Sequence, residues 1–327
     1  MRDPEGIARA IAEAESIAIC SHISPDGDTI GSALAMRLVL MEMGKKVSVF
    51  CQDKVPDNLS FLPGVEMIHA ADGCDEHFDL MLSVDVSDRA RLGSCEQLRS
   101  LCAHTAQIDH HESNDHFMEV NSIDGDAAAT CVMIREQMKV LGVPLNREIA
   151  ICLYAGISTD TGNFTFSCTD GETFRVMGDL MDVGLPLAPL SRTLFREKSR
   201  PHLLLLGRAI EKMSFAGPHH EIAVMTLSLR DFEDCAAVSE HSDTIVNYGL
   251  ETTGTRLALL GRESKDEGRI KFSLRALEPL RVDEVAVRLG GGGHAQAAGA
   301  TLDGSLEETT ARVIREMIHE LEKNETI

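Results

Sequence analysis

The sequence predicts an α/β protein: a mostly parallel, doubly wound sheet that carries the chemistry, followed by a smaller α+β domain. Three observations lead there. Short apolar runs alternate with helical segments through the first half of the chain, the order that builds parallel sheets from β-α-β units. Several of those runs end directly in Asp or His, the position at which open α/β sheets put their ligands. The second half instead sets strand patterns around a hairpin-like turn and finishes on a helix, and 327 residues are too many for one small core.

Residues 5–15 carry Ile7, Ala8, Ile11 and Ala12 at helical spacing ahead of a first strand, Ile17-Ala18-Ile19-Cys20. The loop after it, from Ser21 to Ser32, contains His22, Pro25, Asp26, Gly27 and Asp28 and leads into a helix at 33–43 that stops at Gly44, a natural left-handed cap. Val47-Ser48-Val49-Phe50-Cys51 is a second strand, and 56–64 is turn-rich. Asp79-Leu80-Met81-Leu82-Ser83-Val84-Asp85 is a third strand that ends on a carboxylate. A helical stretch at 93–102 precedes a fourth, Thr105-Ala106-Gln107-Ile108, which delivers Asp109-His110-His111. Helices at 127–141 and 146–157 follow, the second running on to Asp160-Thr161-Gly162, and another spans 170–184. Pro186 and Pro189 break the pattern before the polar stretch 196–201, so the expected division is a first domain at 1–187, a connection at 188–201 and a second domain at 202–327. In that domain, 202–213, 282–289 and 307–322 read as helices and 221–229, 256–260 and 269–274 as strands. Lys265-Asp266-Glu267-Gly268 forms the hairpin turn.

Composition narrows the partners. A net charge of −21 opposes binding of long duplex nucleic acid through the general surface, because phosphate binding needs a cationic field. An anionic substrate must be captured locally, which favours small phosphorylated molecules. No apolar run has the length of a membrane span, and the start, Met1-Arg2-Asp3-Pro4-Glu5-Gly6, has no secretory apolar region, so the expected location is the cytoplasm with no membrane partner. Nine scattered cysteines with no Cys-x-x-Cys pair indicate reduced buried thiols. The reading leaves open a homodimer. No Ser-His-Asp arrangement and no Walker-type loop are present, so covalent acyl transfer and nucleoside triphosphate hydrolysis find no support.

The loop after the first strand can bind metal through His22, Asp26 and Asp28; read alone, it is equally an Asp-Gly turn followed by a helix N-cap at Asp28 or Thr29. Together with Asp85, His110 and Asp160 it supplies two imidazoles and four carboxylates, a set suited to manganese, or to magnesium with weaker preference. Two divalent cations would balance the four aspartates, and the empty site would repel itself. A second motif is Gly290-Gly291-Gly292-Gly293-His294. A glycine run is commonly a connector, but this one lies inside a domain, where backbone N–H groups of Gly291, Gly292 and Gly293 can approach a phosphate with His294 as an added donor. Arg275, at a strand end, is a guanidinium clamp for the same phosphate or a plain surface charge.

These motifs, in this order, make the sequence similar to the DHH phosphoesterases. The resemblance rests on His22-x-x-Pro25-Asp26-Gly27-Asp28, the Asp85 strand end, Asp109-His110-His111 followed by Glu112-Ser113-Asn114, Asp160-Thr161-Gly162, and Gly292-Gly293-His294 with Ala297-Ala298-Gly299. It implies a catalytic first domain and a DHH-associated, substrate-binding second domain that closes over the cleft. It also implies that His22, Asp26 and Asp85 hold one manganese, that Asp28, Asp85, His110 and Asp160 hold another, and that Asp85 bridges them. His111 would face the scissile phosphate and Asp109 would orient the neighbouring imidazoles, completing a catalytic set of Asp85, His111 and Asp109. The two-domain length resembles the oligoribonuclease (nanoRNase) and pAp phosphatase branch, which implies short oligoribonucleotides, linear dinucleotides and 3′-phosphoadenosine 5′-phosphate (pAp) as substrates. Two alternatives remain: a manganese-dependent inorganic pyrophosphatase, and a non-catalytic sensor of small nucleotides.

Overall fold

The computed structural model describes residues 2–265 and 268–325. It divides into two compact units, Met1–Glu197 and Lys198–Ile327. In the first, α1 (Pro4–Glu13), capped by the Asp3 carboxylate, leads to β1 (Ser16–Cys20), α2 (Gly27–Glu42), β2 (Lys46–Phe50), β3 (Ile68–His69), β4 (Phe78–Val84), β5 (Cys102–Asp109) and β6 (Val120–Ile123). Helices α3 (Thr130–Leu141), α4 (Arg147–Asp160), α5 (Gly171–Asp182) and α6 (Leu187–Ser191) complete it.

The six strands form one sheet in the order β3-β2-β1-β4-β5-β6, with every pair parallel. Alternation decides which side chains go where. Ile17 and Ile19 of β1 and Leu80, Leu82 and Val84 of β4 join the larger core on the face of α1 to α4. Ala18, Cys20 and Met81 face a smaller core closed by Leu92, Cys95 and Leu98. Both faces are covered, which is why β1 and β4 are apolar at most positions. From β1 the chain goes first to β2 on one side and later to β4 on the other. The edge beyond the carboxyl ends of β1 and β4 is therefore a topological switch point, where open α/β sheets form a ligand crevice.

Several elements depart from expectation. Helix α2 begins at Gly27, six residues before the expected 33, and its cap is Asp26, whose carboxylate accepts the amides of Asp28 and Thr29, not Asp28 or Thr29 itself. The first turns are buried on all sides, so no apolar stripe marked them. The stretch 89–101 is 3₁₀ helix interrupted at Gly93, β3 and β6 were not anticipated, and Asp160 closes a helix. The span 188–201 is largely helical: α6, a π-helical turn at Arg192–Arg196, and the start of the next helix at Arg200.

The second unit contains α7 (Arg200–Glu211), β7 (Ser214–Ala216), β8 (Ile222–Leu227), α8 (Leu229–Asp234), α9 (Ile245–Leu250), β9 (Leu257–Glu263), β10 (Arg269–Ala276), α10 (Val282–Arg288), β11 (Gly292–His294), β12 (Ala297–Asp303) and α11 (Leu306–Glu325). Its sheet runs β11-β12-β10-β9-β8-β7 and is antiparallel except where β8 meets β9. The expected hairpin turn joins β9 to β10, but its residues 266 and 267 lie outside the described residues.

The glycine run is neither a connector nor an open loop. It forms the edge strand β11, with Gly292 opposite Gly299, Gly293 opposite Ala298 and His294 opposite Ala297. Gly293 has φ +148°, and a Cβ there would lie 2.5 Å from the Ala298 Cα, so only glycine permits this approach.

Candidate metal centre and phosphate-binding face

Three strand ends and two helices converge on the switch-point edge of the first unit. His22 lies two residues past β1, Asp85 directly follows β4, Asp109 ends β5, and His110 and His111 come next. Asp26 and Asp28 sit at the start of α2, and Asp160 is the last residue of α4. His22 Nε2 is 3.5 Å from Asp26 Oδ2 and 3.5 Å from Asp85 Oδ2. His110 Nε2 is 3.6 Å from Asp85 Oδ1, 3.9 Å from Asp28 Oδ2 and 3.1 Å from Asp160 Oδ2. One carboxylate, that of Asp85, thus faces both imidazoles.

The surroundings fix which atoms are free. His22 Nδ1 donates to the Ile23 carbonyl at 2.8 Å and His110 Nδ1 to the Ala127 carbonyl at 3.0 Å, so in each ring Nε2 is the nitrogen left to face the carboxylates. His111 is oriented differently. Its Nδ1 meets Asp109 Oδ1 at 2.7 Å, and the other Asp109 oxygen accepts from Asn114 Nδ2 at 2.6 Å. Asn114 in turn accepts from Gln107. His111 Nδ1 is also 3.8 Å from Asp85 Oδ1, and Asp85, His110 and His111 form a further group with donor atoms within 4.8 Å of one another, although Nδ1 itself is committed to Asp109.

The start of α3 supplies the remaining support. Asp28 accepts the Thr130 amide at 2.6 Å on one oxygen and the Cys131 amide at 3.0 Å on the other, both from the positive end of the helix. The Thr130 hydroxyl donates to Asp85 Oδ1 at 2.9 Å. Asp85 has φ +59°, a backbone state that costs on the order of 1–3 kcal/mol and persists only where neighbours impose it. Thr130 and the Asp85 amide, which donates to the Ile108 carbonyl, impose it here. Thr130, Cys131 and Gln107 carried no signal in the sequence, because their part depends on where α3 and β5 pack.

The electrostatics are those of a site arranged for cations. Burial opposes charge on His22, yet Asp26 and Asp85 raise it to about 10; burial likewise opposes charge on His110, which Asp160, Asp28 and Asp85 raise to about 11. Burial and then the neighbouring Asp85 and Asp160 push Asp28 well above the carboxylate range, and burial raises Asp160. Burial also acts on Asp109, but His111 and Asn114 hold its carboxyl below the usual range. Donor atoms of His22, Asp26 and Asp85 lie within 4.8 Å of one another, as do those of Asp28, His110 and Asp160. This mixture of oxygen and imidazole nitrogen suits divalent cations.

In the second unit, register aligns the other candidates. Arg275 pairs with Ala297, which pairs with His294, so the three share one face across β10, β12 and β11. Arg275 and His294 thus flank a methyl group. The Arg275 guanidinium is partly buried, which lowers its pKa, and one of its nitrogens donates to the Leu274 carbonyl at 3.0 Å. Gly292 and Gly293 are exposed on the same edge strand.

The parallel sheet gathers these imidazoles and carboxylates at its switch point as a candidate centre for divalent cations, the kind of site on which metal-dependent phosphoester hydrolases are built. A model of the DHH family, N-terminal domain, matches residues 16–157, and one of the DHHA1 domain matches 234–323. The chain is 33% identical over 307 residues to the bifunctional oligoribonuclease and PAP phosphatase NrnA of Thermus thermophilus, covering 93% of this chain and 90% of that protein. It is 25% identical over 301 residues to the protein of the same name from Bacillus subtilis, covering 90% and 92%. Its fold is similar to that of an exopolyphosphatase-related protein from Bacteroides fragilis, with a TM-score of 0.89, 24% identity and coverage of 97% of this chain and 95% of that one. The chain belongs to the DHH family. No helix among the described residues is long and apolar enough to cross a membrane.

Proposed function

We propose that the protein hydrolyses short oligoribonucleotides, including linear dinucleotides, to mononucleotides and pAp to AMP. The observation that carries the chemistry is that Asp85 stands between two donor groups, one reached by His22 and the other by His110. The substrate class follows from the name of the Thermus relative. His22, Asp26 and Asp85 would hold one divalent cation, and Asp28, Asp85, His110 and Asp160 a second; manganese is our assignment, with magnesium as the substitute. When bound, such ions activate water and offset charge on the phosphate oxygens. His111, with its side chain about a third exposed and its pKa raised by the hydrogen bond to Asp109, presents its Nε2 side to the scissile phosphate. Asp109 acts as a positioning residue. Gly292, Gly293, His294 and Arg275 bind the remote phosphate or terminal nucleotide, whereas the Gly291 amide expected to join them is already given to the Ala286 carbonyl at 2.7 Å. The cysteines among the described residues are all free thiols, which supports action in the cytoplasm.

Purified protein with manganese is expected to release phosphate from pAp and mononucleotides from RNA dinucleotides, and to leave pyrophosphate intact. Turnover of pyrophosphate alone would reverse the assignment, and tight nucleotide binding without turnover would make the protein a sensor. Manganese at about 100 times its Kd should add about 2.7 kcal/mol of stability; an unchanged Tm between manganese and chelator would remove the metal centre. His294→Ala removes one charge-assisted donor, so kcat/KM on pAp should fall roughly 10- to 100-fold, mostly through KM. An unaltered KM would take His294 out of the site.

A further inference from the structure

The segment after Asp160 is built more rigidly than a connection needs. Gly162, Asn163 and Phe164 have φ of +54°, +55° and +66° in succession, and Phe164 is a bulky residue for which that region is a clear outlier. Thr161, fully buried, holds the turn: its hydroxyl donates to the Ile157 carbonyl at 2.6 Å and accepts the Phe164 amide, and its carbonyl accepts the amides of both Thr165 and Phe166. Such imposed backbone strain is a mark of functional segments.

The product of this geometry is an exposed aromatic ring. Phe166 is 57% exposed and belongs to no core cluster, whereas Phe164 packs against the core and meets the Phe174 ring at 5.7 Å. Phe166 rests on Gly162, where a Cβ would come within 2.4 Å of the ring, so glycine is what lets the ring approach the backbone two residues from Asp160. The Asp160 carboxylate is itself 3.1 Å from His110 Nε2. Aromatic residues are only 4% of the chain, and Phe166, as exposed as Phe174, is the one that follows the Asp160 carboxylate within the same tight turn.

We propose that Phe166 is a stacking platform for a nucleobase of the substrate, positioned by the strained 161–166 turn next to the metal centre. The proposal rests on the phosphoesterase reading above and adds what the bases contribute to it. Stacking draws on the π-face common to all bases, so it selects nucleotides over other phosphoesters without selecting sequence. It is also indifferent to charge, which gives a protein of net charge −21 a grip on an anionic substrate that long-range electrostatics does not supply.

The test compares kcat/KM on an RNA dinucleotide with kcat/KM on the same sugar-phosphate backbone lacking both bases, with manganese present. Phe166→Ala should lower the ratio of the two roughly 10- to 100-fold, the span expected for loss of one stacked base. Phe166→Trp should keep the ratio high and Phe166→Leu should lose it, which separates stacking from apolar contact. The manganese-induced rise in Tm should persist in all three variants, because Asp160 stays in place. Equal losses on both substrates, or a leucine variant as selective as the tryptophan one, would overturn the platform while leaving the hydrolase intact. A wild-type protein that cleaves neither substrate would overturn the hydrolase reading and the platform with it.

Discussion

Replacing Asp85 by asparagine is expected to lower turnover of a dinucleotide on the order of 10³-fold, the upper end of what loss of one preorganised electrostatic group costs. The size follows from position. Asp85 Oδ2 faces His22 Nε2 at 3.5 Å and Asp85 Oδ1 faces His110 Nε2 at 3.6 Å, so the side chain serves both donor groups. An asparagine keeps the volume, and its oxygen can still accept the Thr130 hydroxyl, but the opposite side then presents an NH₂ where a carboxylate oxygen stood. That side loses a ligand and the site loses a charge.

The same variant should fold. Asparagine tolerates the left-handed backbone of position 85 as well as aspartate does. Asp85 raises Asp28 and Asp160 by repulsion and His22 and His110 by attraction, so neutralising it removes opposing contributions in the metal-free protein. The metal-free Tm is therefore expected to change little while the manganese-induced increment shrinks and bound metal per chain falls. Wild-type turnover by this variant at saturating manganese would exclude Asp85 as the shared ligand.

Much of this centre was legible because the signal is local. His22, Asp85 and Asp109-His110-His111 each come at the end of a short run that reads as a buried strand, and parallel strands bring their carboxyl ends to one edge. Asp160 was readable as a candidate only as part of an ordered set of motifs, since it ends a helix and no strand points to it. The supports were not legible at all. Nothing about a Thr-Cys pair near residue 130 says that its amides will meet the carboxylate of Asp28, roughly a hundred positions earlier. The glycine run misled for a related reason. Glycine has low intrinsic strand preference, and what makes 292–294 a strand is the backbone of β12 beside it. The early start of α2 was hidden by burial on all sides, which erases the periodicity that marks a surface helix.

That buried start also explains the second large effect expected here. Helices α2 and α4 cross with backbone against backbone: a Cβ on Gly31 would lie 2.5 Å from the Cys152 carbonyl oxygen, and one on Gly156 would lie 2.3 Å from Cys131 Sγ and 2.5 Å from Asp28 Oδ1. Alanine at 156 gains about 1 kcal/mol of helix propensity. Against this, it must displace groups that are themselves fixed, Asp28 by two amide hydrogen bonds and Cys131 by the helix it opens. Overpacking of a closed core costs about 1–3 kcal/mol, and a misplacement near 1 Å at a reacting centre can cost about 10²-fold in rate. Gly156→Ala should therefore lower Tm, weaken manganese binding and reduce turnover about 10²-fold. Gly178→Ala on α5 is the matched control: the position is helical and exposed with no heavy atom within 4 Å of the added methyl, so Tm should rise by the equivalent of up to about 1 kcal/mol with activity unchanged. If Gly156→Ala instead behaved like Gly178→Ala, with full manganese affinity, the placement of Asp28 could not depend on the close crossing of α2 and α4.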